Sequence, residues 1–268
     1  MGHRTVISAL VACTCLIGGA ASADPCPPEQ VVGTVTGIEQ CLVTREFGAT
    51  EPDTLLIWLH GDISSGGPAN YHFPLAQKAA EDFSDRKVRS IALVRPGYPD
   101  GEGNSSSVAF LQGGRRDHYT RVNIEELIGA IKNLQARYQA RQLIIVGHSG
   151  GASMAASLLG IAPGLIQGAV LVACPCDLAA WRVGRRSWDR SESPIKWVDK
   201  NPPSTRVVAL TGDTDDNTTP ALAKAYVEAL QKAGINGVYQ DITGASHNNA
   251  FRSPMVFSAI ETLLKPVQ

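Results

Sequence analysis

The chain has 268 residues and a formal net charge of −1, which lacks the basic footprint of a nucleic-acid or anionic-membrane binder. With 44% hydrophobic and 18% charged residues, it reads as an ordinary folded globule, long enough for one α/β domain with a full core or for two small domains.

Residues 1–23 read as a secretory signal peptide. Arg4 supplies the positive start, residues 6–17 are mostly apolar, and Ala21-Ser22-Ala23 fits the small-x-small cleavage pattern. The segment is too short and glycine-rich for a stable membrane span. A second pattern, Leu10-Val11-Ala12-Cys13, resembles a lipoprotein box and would anchor the chain at Cys13. The main expectation is an exported protein, periplasmic or secreted, with residues 24–268 as one domain. Cys26, Cys41, Cys174 and Cys176 remain after cleavage. In an oxidising compartment they allow three pairings. Cys26 with Cys41 comes first, because the intervening residues can fold back as a hairpin. Cys174 and Cys176 flank a single proline, so they read as a packed or strained pair. A metal site there would lack further ligands.

Short apolar runs alternate with helix-patterned segments along the chain. Strands are expected at 31–36, 41–45, 54–60, 88–95, 142–146, 169–173, 206–211 and 238–242. Helices are expected at 68–83, 119–139, 149–159, 220–232 and 254–264. In the second helix Ile124, Leu127, Ile128, Ile131 and Leu134 form one apolar stripe. Strands alternating with helices imply a mostly parallel sheet covered on both faces. Residues 177–203 break the pattern. They hold Trp181, Trp188 and Trp197 and read as a cap inserted between two strands. Its arginines, Arg182, Arg185, Arg186 and Arg190, suit either an acidic substrate or a mixed-charge surface, since Asp189 and Glu192 interleave with them.

The most informative stretch is LIIVGHSGGAS at residues 143–153. A buried strand runs into a small-residue helix through Gly147-His148-Ser149-Gly150-Gly151. A serine at the apex of such a turn has a strained backbone and needs small neighbours, and its hydroxyl stands exposed above the sheet. Serine is a weak nucleophile without a base, and that base needs an orienting acid. Both follow in order. Gly212-Asp213-Thr214-Asp215-Asp216-Asn217-Thr218-Thr219-Pro220 comes after one strand, and Ala245-Ser246-His247-Asn248-Asn249 after the next. Each group follows a strand, so all three fall at the sheet edge where open α/β sheets bind ligands.

These motifs, with Leu59-His60-Gly61-Asp62 after the third strand, make residues 30–265 resemble the α/β-hydrolase superfamily. The resemblance implies the α/β-hydrolase fold, a central sheet of about eight strands with helices on both faces, and a short cap. It implies Ser149 as nucleophile, His247 as base and Asp215 as acid, with Asp213 and Asp216 as alternatives. It places the oxyanion hole at the Gly150 and Asp62 backbone N–H groups, with Ile63 as an alternative to the latter. An acidic side chain beside an oxyanion is unfavourable, so Asp62 is expected to turn away and bond the glycine-rich loop. His60 is expected to brace that loop and His148 to pack beside the elbow. Arg95-Pro96-Gly97-Tyr98, with Asp117, His118 and Tyr119, forms a candidate pocket wall. No cofactor and no metal are implied.

The expected activity is ester hydrolysis through an acyl-enzyme, on a small-molecule ester or peptide. The acid loop also resembles that of prolyl-oligopeptidase-like members, which leaves a serine peptidase as the enzymatic rival. A non-catalytic binding module on the same fold is the alternative from another class. No pattern sets an oligomeric state.

Overall fold

The computed structural model describes Cys26 and residues 33–64, 66–106 and 119–265. The candidate signal segment, Cys13, Asp117 and His118 lie outside these residues. Among the described residues, eight strands form one sheet: β1 (Thr34–Thr36), β2 (Cys41–Gly48), β3 (Thr54–Leu59), β4 (Val88–Leu93), β5 (Gln142–His148), β6 (Gly168–Val172), β7 (Arg206–Gly212) and β8 (Asn236–Ile242). Their order is β1-β2-β4-β3-β5-β6-β7-β8. β2 pairs antiparallel with β1 and β4, and every other pairing is parallel.

The helices are α1 (Phe73–Asp82), α2 (Arg121–Tyr138), α3 (Gly150–Ile161), α4 (Leu178–Trp181), α5 (Pro220–Lys232) and α6 (Pro254–Leu264). The period of two in β3 explains why both sheet faces are covered. Leu55, Ile57 and Leu59 pack into the core shared with α2, α3 and α5, whereas Leu56 and Trp58 face α1 and α6. Burial on both faces makes the strand a continuous apolar run.

Sequence boundaries shift where local chemistry intervenes. α2 starts at Arg121 because Thr120 caps it, accepting the Asn123 N–H at 3.3 Å. α1 starts at Phe73, five residues later than the helical spacing suggests, with a proline in its first turn. β2 continues to Gly48 because its pairing with β4 extends to Arg89.

Cys26 and Cys41 form a disulfide, as expected from the hairpin argument. Cys174 and Cys176 are also joined, so the second pair is a bridge across Pro175. Between β6 and β7 lie α4 and a 3₁₀ turn, Pro194–Lys200. Asp177 caps α4 by accepting the Ala179 and Ala180 N–H groups. The sequence reading missed both elements because each is too short to show periodicity. Among the described residues, no helix is long and apolar enough to cross a membrane.

Candidate active site

Four strand ends build the site. β5 ends at His148, and Ser149 turns the chain into α3 with φ 52° and ψ −119°. A non-glycine residue in this region costs about 1–3 kcal/mol and needs surrounding structure to hold it. That structure is visible. The Ser149 N–H bonds the Val172 carbonyl of β6 at 2.8 Å, and the Ser149 carbonyl accepts the Ser153 N–H at 3.0 Å. A side chain at Gly147 would strike the Ala152 backbone at 2.6 Å, and one at Gly151 would strike the His60 and Leu59 carbonyls. The small flanking residues are thus a packing requirement of the turn.

The structure brings together the three residues expected to act with one another. Ser149 Oγ lies 3.0 Å from His247 Nε2, and His247 Nδ1 lies 2.9 Å from Asp215 Oδ2. Asp215 follows β7 and His247 follows β8, so the parallel pairing of these strands sets their separation. Burial alone would push the Asp215 carboxyl up. Bonds from His247 and from the Thr218 backbone and hydroxyl outweigh it and hold the group below the ordinary carboxylate range. Asp213 is exposed and accepts the Gly244 N–H, and Asp216 is exposed at the pocket wall. Neither alternative touches His247 in the hydrogen bonds described.

Thr218 is a neighbour of both Asp215 and His247 that the sequence reading did not single out. Its hydroxyl donates to Asp215 Oδ2 at 2.8 Å and lies 3.0 Å from His247 Nδ1. Its spacing, three residues after Asp215, matches a side chain folding back on an Asx-type turn, since Asp215 Oδ1 accepts the Asn217 and Thr218 N–H groups.

The loop after β3 presses on the elbow. A side chain at Gly61 would meet Ser149 Cβ at 3.0 Å, and one at Gly150 would meet Asp62 Oδ1 and the Tyr119 hydroxyl at 2.5 Å. Gly150 N–H belongs to the first turn of α3, where backbone donors have no intrahelical acceptor. The Asp62 carboxylate has three partners outside that loop. It is gripped by Arg95 Nη2 at 2.9 Å, Tyr119 at 2.7 Å and Tyr98 at 3.2 Å. The reason is electrostatic: Arg95 is 1% exposed and requires a counter-charge, and Asp62 supplies it. The candidate pocket wall of Arg95, Tyr98 and Tyr119 is therefore the mount of the Asp62 carboxylate.

His60 braces this loop as expected. Its Nδ1–H donates to the Gly61 carbonyl at 2.7 Å and its Nε2 accepts the Arg95 N–H at 3.0 Å. His148 stacks on Phe251 beside the elbow. Its Nε2 faces the His247 carbonyl at 3.0 Å, which fixes that nitrogen as the donor. Nδ1 then accepts from the Tyr71 hydroxyl, a residue that sequence patterning did not single out. Burial first, then the neighbouring His247, lower the His148 pKa to about 4, so the ring is neutral near pH 7.

The cap closes the pocket. Trp181 Nε1 donates to the Asn217 carbonyl at 2.9 Å, and the Glu192 N–H donates to the Tyr119 carbonyl at 2.8 Å. The resulting cavity of about 570 Å³ includes Ser149, His247, Asp62, Asn217 and the cap residues Trp181 and Trp188. That size suits a small organic substrate.

Comparison with known proteins matches these features to a family. Residues 56–233 fit the sequence model described as the alpha/beta hydrolase family. No curated protein matches the chain by sequence. Among solved structures, Est1E from Butyrivibrio proteoclasticus with bound ferulic acid superposes with a TM-score of 0.66 at 13% identity, covering 87% of this chain and 98% of Est1E. An esterase from Pyrococcus furiosus gives 0.65 at 15% identity, covering 87% of this chain and 89% of its own. A puromycin-hydrolyzing peptidase of Mycobacterium tuberculosis gives 0.62 at 14% identity, covering 87% of this chain and 38% of the longer peptidase. At these identities the structural likeness concerns the fold, which esterases and peptidases share. Matched over most of its length by the family model, the chain belongs to the alpha/beta hydrolase family.

Proposed function

We propose that the chain is an exported serine hydrolase that cleaves a small ester through Ser149, His247 and Asp215. The observation that carries this reading is the continuous hydrogen-bonded line from Ser149 Oγ through His247 to Asp215, at 3.0 and 2.9 Å. A nucleophile, a base within reach and an acid orienting that base are the minimum for acyl transfer.

In this mechanism Ser149 Oγ attacks the ester carbonyl while His247 Nε2 takes its proton. Asp215 keeps the proton on Nδ1 and stabilises the imidazolium. The Gly150 and Asp62 N–H groups receive the oxyanion. His247 then protonates the departing alcohol, and the acyl group stays on Ser149. Water, deprotonated by His247, releases the acid and restores the serine. The two disulfides are compatible with the oxidising compartment that a cleaved segment 1–23 would imply.

One observation favours an ester over an aminopeptidase substrate. The cap carboxylates Asp189 and Glu192, which an aminopeptidase could use to hold a substrate amine, do not line the cavity, and Glu192 accepts the Trp197 Nε1–H. The test is a panel of 4-nitrophenyl esters of increasing chain length beside aminoacyl-4-nitroanilides, run with wild-type protein and Ser149→Ala. Ester turnover lost in the variant is expected. Anilide turnover exceeding ester turnover would move the reading to a peptidase.

A further inference from the structure

The cavity over Ser149 has an uneven charge. Its wall includes two cap guanidiniums, Arg182 and Arg185, and two carboxylates, Asp62 and Asp216. Asp62 is already committed to the buried Arg95 and to two tyrosine hydroxyls, so its charge is compensated from behind. Asp216 is exposed and leaves one carboxylate against two guanidiniums on that wall. The balance presented to a ligand is cationic.

Arg182 is held before any ligand arrives. Its guanidinium carbon lies 5.3 Å from the Trp181 ring centroid and 5.2 Å from that of Trp188, and the two rings meet edge-on at 88°. Its Nε donates to the Arg186 carbonyl at 2.9 Å. The two ring contacts and one backbone bond restrain the group, and the two terminal nitrogens remain as a fork suited to a carboxylate. No carboxylate among the described residues is bonded to either Arg182 or Arg185. The tryptophans are themselves anchored, Trp181 to the Asn217 carbonyl and Trp188 against Tyr119 at 5.2 Å. The cation therefore stands on the loops that also carry the acid and the Asp62 mount.

We propose that the site takes small esters bearing a carboxylate of their own, received by Arg182 with Arg185. The inference rests on the ester-hydrolase reading above and adds the substrate class. Pre-fixed guanidinium geometry lowers the ordering cost of binding an anion. A neutral ester gains nothing from the fork.

The test uses matched esters. The 4-nitrophenyl monoester of glutarate is compared with 4-nitrophenyl 5-oxohexanoate, which replaces the distal carboxylate by a methyl ketone. A second pair puts the charge on the alcohol: the acetate esters of 4-hydroxybenzoate and of 4-hydroxybenzamide. In wild-type protein at least one charged ester is expected to exceed its neutral partner about tenfold in kcat/KM, mainly through KM. The double variant Arg182→Gln/Arg185→Gln brings that ratio near one, and Arg185→Glu inverts it. Added salt reduces the wild-type ratio through screening. A ratio of one or less in both pairs, or a preference untouched by the double variant, overturns the proposal while leaving ester hydrolysis standing.

A binding arm separates the two readings. Ser149→Ala is titrated with glutarate and with the neutral glutaramide, following tryptophan emission. Saturable change with glutarate only, lost when both arginines are also replaced, supports the anion site even if no ester is turned over. Absence of any glutarate-specific change overturns it.

Discussion

The Tyr71 hydroxyl lies 2.7 Å from His148 Nδ1 and accepts the Gly61 N–H on its other side. Because His148 Nε2–H is directed at the His247 carbonyl, one line of bonds joins the loop before Asp62, the elbow and the loop that carries His247. Each proton in this line has one permitted position. Burial, the dominant influence, pushes the Tyr71 phenol pKa up, which keeps it a donor.

Tyr71→Phe therefore leaves the Gly61 N–H and His148 Nδ1 without their partner. A buried unsatisfied group costs about 1–3 kcal/mol. The expected outcome is a loss of roughly 2 kcal/mol, read as a fall of about 4–8 °C in the unfolding temperature. We also expect about a tenfold fall in kcat with little change in KM, because the line orients groups that act in the transition state. Unchanged kcat in the Phe variant would remove the positioning role.

Asp62 and Arg95 form an ion pair beside the site in which the guanidinium is 1% exposed. Asp62→Asn keeps the shape and the backbone N–H but leaves Arg95 uncompensated. Breaking such a pair from one side costs on the order of 2–4 kcal/mol, discounted because Asp62 is partly exposed. Urea unfolding of Asp62→Asn should report that loss. A midpoint equal to wild type would mean the pair contributes no net stability.

Thr218→Val tests the hydroxyl between Asp215 and His247. Asp215 retains its bonds to the Asn217 and Thr218 N–H groups, so the fold is expected to persist. Activity should fall about tenfold, whereas Asp215→Asn should cost about 10³–10⁴-fold by disturbing the imidazole's tautomer. Equal losses in the two variants would contradict this ranking.

Three buried histidines make stability fall with acid. Burial lowers the pKa of His148 to about 4 and of His72 to about 3, and places that of His60 well below its ordinary value. In the unfolded chain these rings titrate near 6.5. Between that value and about 4 the unfolded state binds more protons than the folded one, so stability rises with pH across this window. Each fully neutral ring should account for about 2 kcal/mol lost on going from pH 7.5 to pH 5. Urea midpoints at the two values measure the sum. A midpoint constant over this range would show that the rings are not kept neutral.

Much of the fold was legible because its signals are local. The apolar run 54–59 and the stripe from Ile124 to Leu134 each declare their period within one element. The elbow was readable for the same reason, since Gly147, Ser149 and Gly151 are close in sequence and their constraints are steric. His247 and Asp215 were recoverable from their placement after strands. What escaped depends on partners far away along the chain. Tyr71 meets His148 across 77 residues and Asp62 meets Tyr119 across 57, and neither pairing has a periodic signature. The grip of Arg95 on Asp62 was not legible for the same reason, since the two lie 33 residues apart. Short cap elements such as α4 likewise take their shape from the surfaces they cover.

The most direct measurement of the central claim is covalent labelling by a fluorophosphonate, with the modified peptide identified by mass. The account predicts one adduct, on Ser149, formed by wild-type protein and lost in Ser149→Ala, with strongly slowed labelling in His247→Gln. An unlabelled wild-type protein, or an adduct that persists in Ser149→Ala, would contradict it.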